Sequence, residues 1–321
     1  MIIDLHQDIS TNALVLSHKD FFKKWSIDDW RNAFDNVPSY NQSDYYRLKE
    51  QNVKVIFWAS CLLPEQMGFD SDITRYLIRQ QIKYYRYIVN RSKWDIEVLT
   101  ENKQLDNSKM KILLHLEWYY YSNPKESCLN EFYKEWVRSI AFSRDVSNNL
   151  IWWKHDNYWL TKEWFSFLNE LSNYWIILDL AHINDYWFDD IVKFWNKPLL
   201  VSHTQLRSFK NDIRNISDEN IIKVADSWWT IWLMPHSYFL WKSTLEEYID
   251  SILYIRDLVW IEHVSLWSDF DWFWKSAIIE GFSHIWECNN LKLNMIYKWL
   301  NMDEINKFFY WNSLRVIKEY I

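Results

Sequence analysis

The stretches IILDLAHIND (176–185) and PLLVSHTQLRSFKNDIRNI (198–216) decide the fold. They hold two short apolar runs, Ile176–Leu180 and Pro198–Val201, each reaching a histidine within two residues, His182 and His203. Each run is too short for a helix and is rich in leucine or β-branched residues, which reads as a buried strand. The 20 residues between the histidines leave room for one crossover helix. That is the spacing of a βαβ unit with an imidazole at the carboxyl end of each parallel strand. In a barrel of such units the carboxyl ends carry the chemistry. A single histidine there is more often a packed or capping residue; two in register bring a metal pair level with that reading.

Outward from this unit the same alternation continues. Ile2–Leu5 is a strand that delivers His6 and Asp8, and residues two apart on a strand share a face, so imidazole and carboxylate converge. Val53–Phe57 is a second strand and Met110–Glu117 a third. On the third, Glu117 is the better ligand because a carboxylate can bridge two cations, whereas His115 reads as a satisfied interior histidine. Val137–Ser143 ends at Arg144, and Thr230–Met234 and His263–Leu266 complete eight strands. Asp269 follows the last of them, where a general base is wanted. Asp179, three before His182, is a structural carboxylate or the partner of an imidazole's second N–H.

Helices are expected over Ser71–Asn90, Thr161–Asn173, Ser217–Ser227, Ser243–Leu258 and Met302–Tyr320. The first carries an apolar stripe of Ile73, Leu77, Ile82, Tyr85 and Ile88, with Ser71 as its N-cap. Thr161 caps the second, and Ser217 with Asn220 forms an imperfect capping box on the third. Residues 18–50 read as a helix and loop over the barrel mouth, and 145–158 as an irregular covering loop. Strands alternating with helices make an α/β protein, a single (β/α)₈ TIM barrel over residues 1–321.

Composition agrees. The 321 residues exceed the ~250 that such a barrel usually needs, and a net charge of -7 without a basic cluster argues against nucleic acid. No apolar run reaches the ~20 residues of a membrane span. MIIDLHQDIS lacks the basic and apolar regions of a signal peptide, and three scattered cysteines (Cys61, Cys128, Cys288) indicate neither a disulfide framework nor a thiolate zinc site. A cytoplasmic protein is expected, its oligomeric state left open, a homodimer included.

One feature is abnormal: 24 Trp and only 2 Gly, where a typical share near 7% gives roughly 22 Gly. The tryptophans stand where glycine chemistry is expected, as in Trp152-Trp153, Trp228-Trp229, Trp118 after Glu117, and Trp267 and Trp272 around SDFD. A barrel needs glycine for its turns of positive φ. The reading is a gene whose code uses UGA for Gly, translated with UGA as Trp.

The ordered segments DLHQD (4–8), HLEW (115–118), LDLAHIND (178–185), VSHTQLR (201–207), IRNISDENI (213–221), SDFDW (268–272) and WNSLRV (311–316) resemble the renal (membrane) dipeptidase family of metal-dependent amidohydrolase barrels. Reading Trp as Gly sharpens the match to HLEG, SGGTIGL (227–233), GSDFDG (267–272) and GNSLRV (311–316). The resemblance implies a binuclear zinc site. His6 and Asp8 hold one Zn²⁺, His182 and His203 the other, and Glu117 bridges them.

Zinc suits imidazole and carboxylate donors, and two cations can acidify a shared water into a bridging hydroxide that attacks a dipeptide's peptide bond. Asp269 then moves the proton to the leaving amine, and Arg214 binds the substrate's terminal carboxylate. Where the family has a substrate-contacting histidine after strand four, this chain has Arg144. Arginine can stabilise an oxyanion but cannot shuttle a proton. The second enzymatic reading is another amidohydrolase reaction, on a lactone or an N-acyl amino acid. A non-catalytic barrel relative is the third.

Overall fold

Val55, Phe57, Ala59 and Cys61 alternate with Ile56, Trp58 and Ser60 along one strand, and every one of them is buried. A strand buried on both faces belongs to a parallel sheet covered by helices. The computed structural model describes residues 1–11, 13–14, 19–24, 31–32, 38–39, 42–61, 71–117, 128–141, 162–197, 199–271 and 277–321.

Eight parallel strands form a nearly closed (β/α)₈ barrel. They are β1 (Ile2–Gln7), β2 (Val53–Cys61), β3 (Met110–Glu117), β4 (Val137–Ala141), β5 (Ile177–Asp179), β6 (Leu199–Thr204), β7 (Thr230–Leu233) and β8 (Val264–Leu266). Each pairs with the next in chain order. Closure between β8 and β1 is made by one isolated parallel bridge, Gln7 to Phe270, and by the Asp4 side chain. Ser268 donates from its N–H (3.2 Å) and its hydroxyl (2.7 Å) to the Asp4 carboxylate, while the Asp8 N–H reaches the Phe270 carbonyl at 3.2 Å.

One side of the strands fills the barrel: Ile3, Val55, Phe57, Leu113, Ile177, Leu200, Trp232 and Trp267 form one cluster with the carboxyl-terminal residues Leu314 and Ile317. The other side, with Ile2, Ile56, Trp58, Ile112, Leu114 and Leu116, packs under the helices. Each such side chain stabilises the fold by roughly 1.5–3 kcal/mol on burial.

The eight strands lie where the sequence reading puts them, with ends shifted by up to four residues. A further three-residue strand, Ile96–Val98, pairs alongside β3, and Arg31–Asn32 pairs with Pro38–Ser39. Within 18–50 the described helix is Tyr45–Glu50, capped by Asp44.

Helix Ser71–Arg91 buries Ile78, Ile82, Tyr85 and Ile88, but Ile73 is exposed. Five residues before Ile78, Ile73 falls well round the helix from the buried face at 3.6 residues per turn. Ser71 is the first helical residue and not the cap before it.

Helix Lys162–Leu171 begins after Thr161, which lies outside the described residues. Helix Asp218–Asp226 is capped by Ser217, which accepts from the Asn220 N–H at 3.3 Å. The reciprocal half of the box is not made: Asn220 Oδ1 accepts from Lys223 Nζ at 3.3 Å, while its amide nitrogen donates to Asp185 at 2.7 Å. Helix Leu245–Val259 starts two residues later than expected and is capped by Thr244. The closing helix runs from Met302 to Lys318 and widens to a π-helix over Lys307–Trp311. Among the described residues no helix is long and apolar enough to cross a membrane.

Candidate metal centre

Glu117 ends β3 with its carboxylate between two groups of side chains. Oε2 lies 3.7 Å from His6 Nε2, while Oε1 lies 3.3 Å from His203 Nε2 and 3.7 Å from His182 Nε2. On the first side His6 Nε2 is 3.1 Å from Asp8 Oδ2 and 3.5 Å from Asp269 Oδ1. On the second, His182 and His203 face each other, Nε2 to Nε2, at 2.7 Å. Donor atoms of Glu117, His182 and His203 lie mutually within 4.8 Å, as do those of His6, Asp8 and Asp269. Five strand ends have converged on one buried point.

Local backbone conformation aims these groups. His182, His203 and Asp269 have φ of 63°, 32° and 57°. Non-glycine residues held in this region cost on the order of 1–3 kcal/mol each and concentrate at functional sites. At His203 the departure follows a strand irregularity between β6 and β7.

Electrostatics follow from burial and from three carboxylates. Burial alone lowers the His6 pKa, but the charges of Asp8, Glu117 and Asp269 outweigh it and hold the imidazole up at about 9. Asp269 is raised to about 7, first by burial and then by Asp8 and Glu117, against the opposing pull of His6. His203 is lowered by burial and by the nearby Arg214 guanidinium. His115, two residues before Glu117, is lowered to about 3, mainly by burial, and its Nδ1 pairs with Ser139 Oγ at 2.9 Å. It is an interior imidazole beneath the site.

Arg214 is buried, and its charge reaches both His203 and His236. Its guanidinium carbon lies 6.0 Å from the Phe239 ring centroid. Arg144 lies outside the described residues, as do Trp118, Trp152, Trp153 and Trp272.

Two supporting links escape a reading by residue type. Ser202 Oγ donates to Asp179 Oδ2 at 2.5 Å and lies 2.6 Å from His203 Nδ1. With its own proton given to Asp179, the hydroxyl accepts from Nδ1–H, which leaves the lone pair of His203 on Nε2, facing Glu117. Asp179 therefore serves His203 through Ser202, not the nearer-in-sequence His182. The sequence offered Asp179 as an imidazole's partner, but not the Ser202 hydroxyl that carries the link. The second link is Asp4, which accepts from Ser268 and from Gln7 Nε2 (2.6 Å) and so ties His6 to the loop bearing Asp269.

The donor set fits a divalent metal. It is all imidazole and carboxylate, buried, and set with like groups facing each other, an arrangement that costs free energy unless a cation lies between them.

A family model described as membrane dipeptidase (peptidase family M19) matches residues 1–320. Among solved structures, the chain is similar to a metallopeptidase from Rhodobacter sphaeroides liganded with a phosphinate mimic of the dipeptide L-Ala-D-Ala. The TM-score is 0.81 at 15% identity, covering 100% of this chain and 99% of that one. Among curated proteins it is 21% identical over 159 residues to the dipeptidase tcpJ of Claviceps purpurea, covering 47% of this chain and 36% of that protein. It is 21% identical over 281 residues to the dipeptidase verJ of Clonostachys rogersoniana, covering 80% and 72%. The match thus spans about a third of the first relative and most of the second. A family model that accounts for nearly every residue, on a barrel of this topology, settles the assignment: the chain belongs to the membrane dipeptidase family, peptidase family M19.

Proposed function

We propose that the protein is a zinc-dependent dipeptidase that hydrolyses the peptide bond of small dipeptides. The observation that carries this reading is the Glu117 carboxylate, with one oxygen turned to His6 and the other to His182 and His203. In this reading His6 and Asp8 hold one Zn²⁺, His182 and His203 hold a second, and Glu117 serves both. When bound, such a pair supplies an acidified water as nucleophile and polarises the scissile carbonyl.

The chain's own groups do the rest. Asp269, raised to about 7 by burial and its acidic neighbours, accepts the proton of the attacking water and returns it to the leaving amine. Arg214 receives the terminal carboxylate of the substrate, which fixes the scissile bond over Glu117. Arg144 is the proposed contact to the carbonyl oxygen, in place of the histidine usual in the family. A cytoplasmic location belongs to the same reading, supported by three buried cysteines and no disulfide among the described residues.

The test is hydrolysis of a dipeptide panel by protein expressed from a gene with its UGA codons recoded as glycine, with added Zn²⁺ or with chelator. Zinc-dependent release of free amino acids is expected. No cleavage despite two bound zinc ions overturns the dipeptidase reading and turns attention to lactones and N-acyl amino acids.

A further inference from the structure

Cys61 ends β2 directly opposite Glu117 in the β2–β3 register. Partners in register on parallel strands present their side chains to the same face. Counting by twos, Val55 and Phe57 face the barrel interior, as does Leu113 on β3, so Cys61 and Glu117 both do. The Cys61 Sγ and carboxylate oxygens of Asp8 and Glu117 accordingly lie mutually within 4.8 Å. Cys61 is fully buried, and its carbonyl is held by Gln81 Nε2 at 2.7 Å and Thr11 Oγ1 at 3.3 Å. A thiol is thus fixed among the groups read above as ligands, in a position the proposed reaction does not use.

We infer that Cys61 supplies a thiolate to the cation held by His6, Asp8 and Glu117, an inference that rests on the proposed metal site. Four protein donors then hold the first cation against three, Glu117, His182 and His203, for the second, and five-coordination still admits the shared water at the first. The two positions are then unequal. The first holds its metal more tightly and favours thiophilic ions. Ligation releases the thiol proton to solvent.

Cobalt(II) titration of the chelator-stripped full chain tests this. Expected is a thiolate-to-cobalt charge-transfer band in the near ultraviolet that grows with the first equivalent. It is absent from Cys61→Ser, which still binds two cobalt ions, the first about 10–100-fold more weakly. Two ions bound without the band, or a band that survives in Cys61→Ser, overturns the role of Cys61 alone. No cobalt bound at all overturns the metal site as well.

A separate observation concerns the tryptophans. Trp94, Trp136, Trp228, Trp260 and Trp299 have φ of 88°, 70°, 60°, 79° and 69°. Each follows the last turn of a helix, those ending at Arg91, Lys134, Asp226, Val259 and Tyr297. At two of them the paired bonds of a Schellman cap are present. Trp228 and Trp229 donate to Ala225 and Val224 at 2.9 and 3.1 Å, and Trp299 and Leu300 to Ile296 and Met295 at 3.0 and 3.1 Å. Glycine is the usual residue there, since a Cβ at positive φ crowds the following carbonyl oxygen. The five indoles, 40% to 90% exposed, gain little burial to offset it.

The geometry assigns these five positions to glycine in the native protein. Peptide sequencing by mass spectrometry of protein from its natural source is expected to read glycine at all five; tryptophan there overturns the assignment. A recombinant chain with the five Trp→Gly changes is expected to melt higher than the tryptophan chain, and a lower melting temperature also counts against it.

Discussion

His182 and His203 present Nε2 to Nε2 at 2.7 Å, with Glu117 Oε1 3.3 Å from the second. Because Ser202 and Asp179 hold the His203 proton on Nδ1, only His182 can supply the proton between them. In the proposed site a cation would take the place of that proton. Zinc is therefore expected to stabilise the protein by about 2.7 kcal/mol per site at a hundredfold excess over Kd, and to raise the melting temperature by several degrees. Scanning calorimetry with zinc against chelator measures it; an unchanged melting temperature contradicts the site.

The Ser202 link gives a sharper test. Ser202→Ala removes the acceptor that fixes the His203 tautomer, and loss of such an outer partner weakens metal affinity about 10–100-fold. Competition with a chromophoric chelator reads the change. If affinity is unaltered, the hydroxyl only joins β5 to β6.

Stability of the chelated protein should fall with rising pH. The His6 pKa is raised from 6.5 to about 9, so the folded state binds its proton more tightly than the unfolded chain. That contribution is complete below pH 6.5 and lost as pH rises through 9. At 1.36 kcal/mol per pKa unit it amounts to about 3 kcal/mol. Asp269, raised to about 7, acts in the same direction over the lower part of the window. Urea midpoints at pH 6.5 and 9 measure the loss. The zinc-loaded protein, with His6 deprotonated, should lack it.

Asp269→Asn keeps the shape but cannot accept a proton. A fall in kcat of about 10²–10⁴ with little change in zinc content is expected, the range for loss of a general base. Steady-state kinetics alongside metal analysis separates this from loss of a ligand, which its 3.5 Å approach to His6 makes the competing outcome.

Arg214→Ala should raise KM for dipeptides by about tenfold or more, since a charge-assisted hydrogen bond contributes ~1.5–3 kcal/mol. Amides without a terminal carboxylate should be cleaved as before. An equal loss on both assigns Arg214 to tuning His203, whose imidazole its charge already disfavours protonating.

Sequence alone determined the barrel and named residues that the structure gathers at the carboxyl ends of its strands. Short continuous apolar runs, each ended by a polar ligand type, are local signals, because strand burial and side-chain alternation need no knowledge of distant residues. His6, Asp8, Glu117, His182, His203 and Asp269 could be named in this way. Tertiary structure decided what lies between strands. The Asp179–Ser202–His203 chain, the Asp4–Ser268 closure and the placing of Cys61 opposite Glu117 depend on register, which is set by packing around the whole barrel. The left-handed backbone at His182, His203 and Asp269 is likewise invisible in residue type, because it is imposed by the surroundings against local preference.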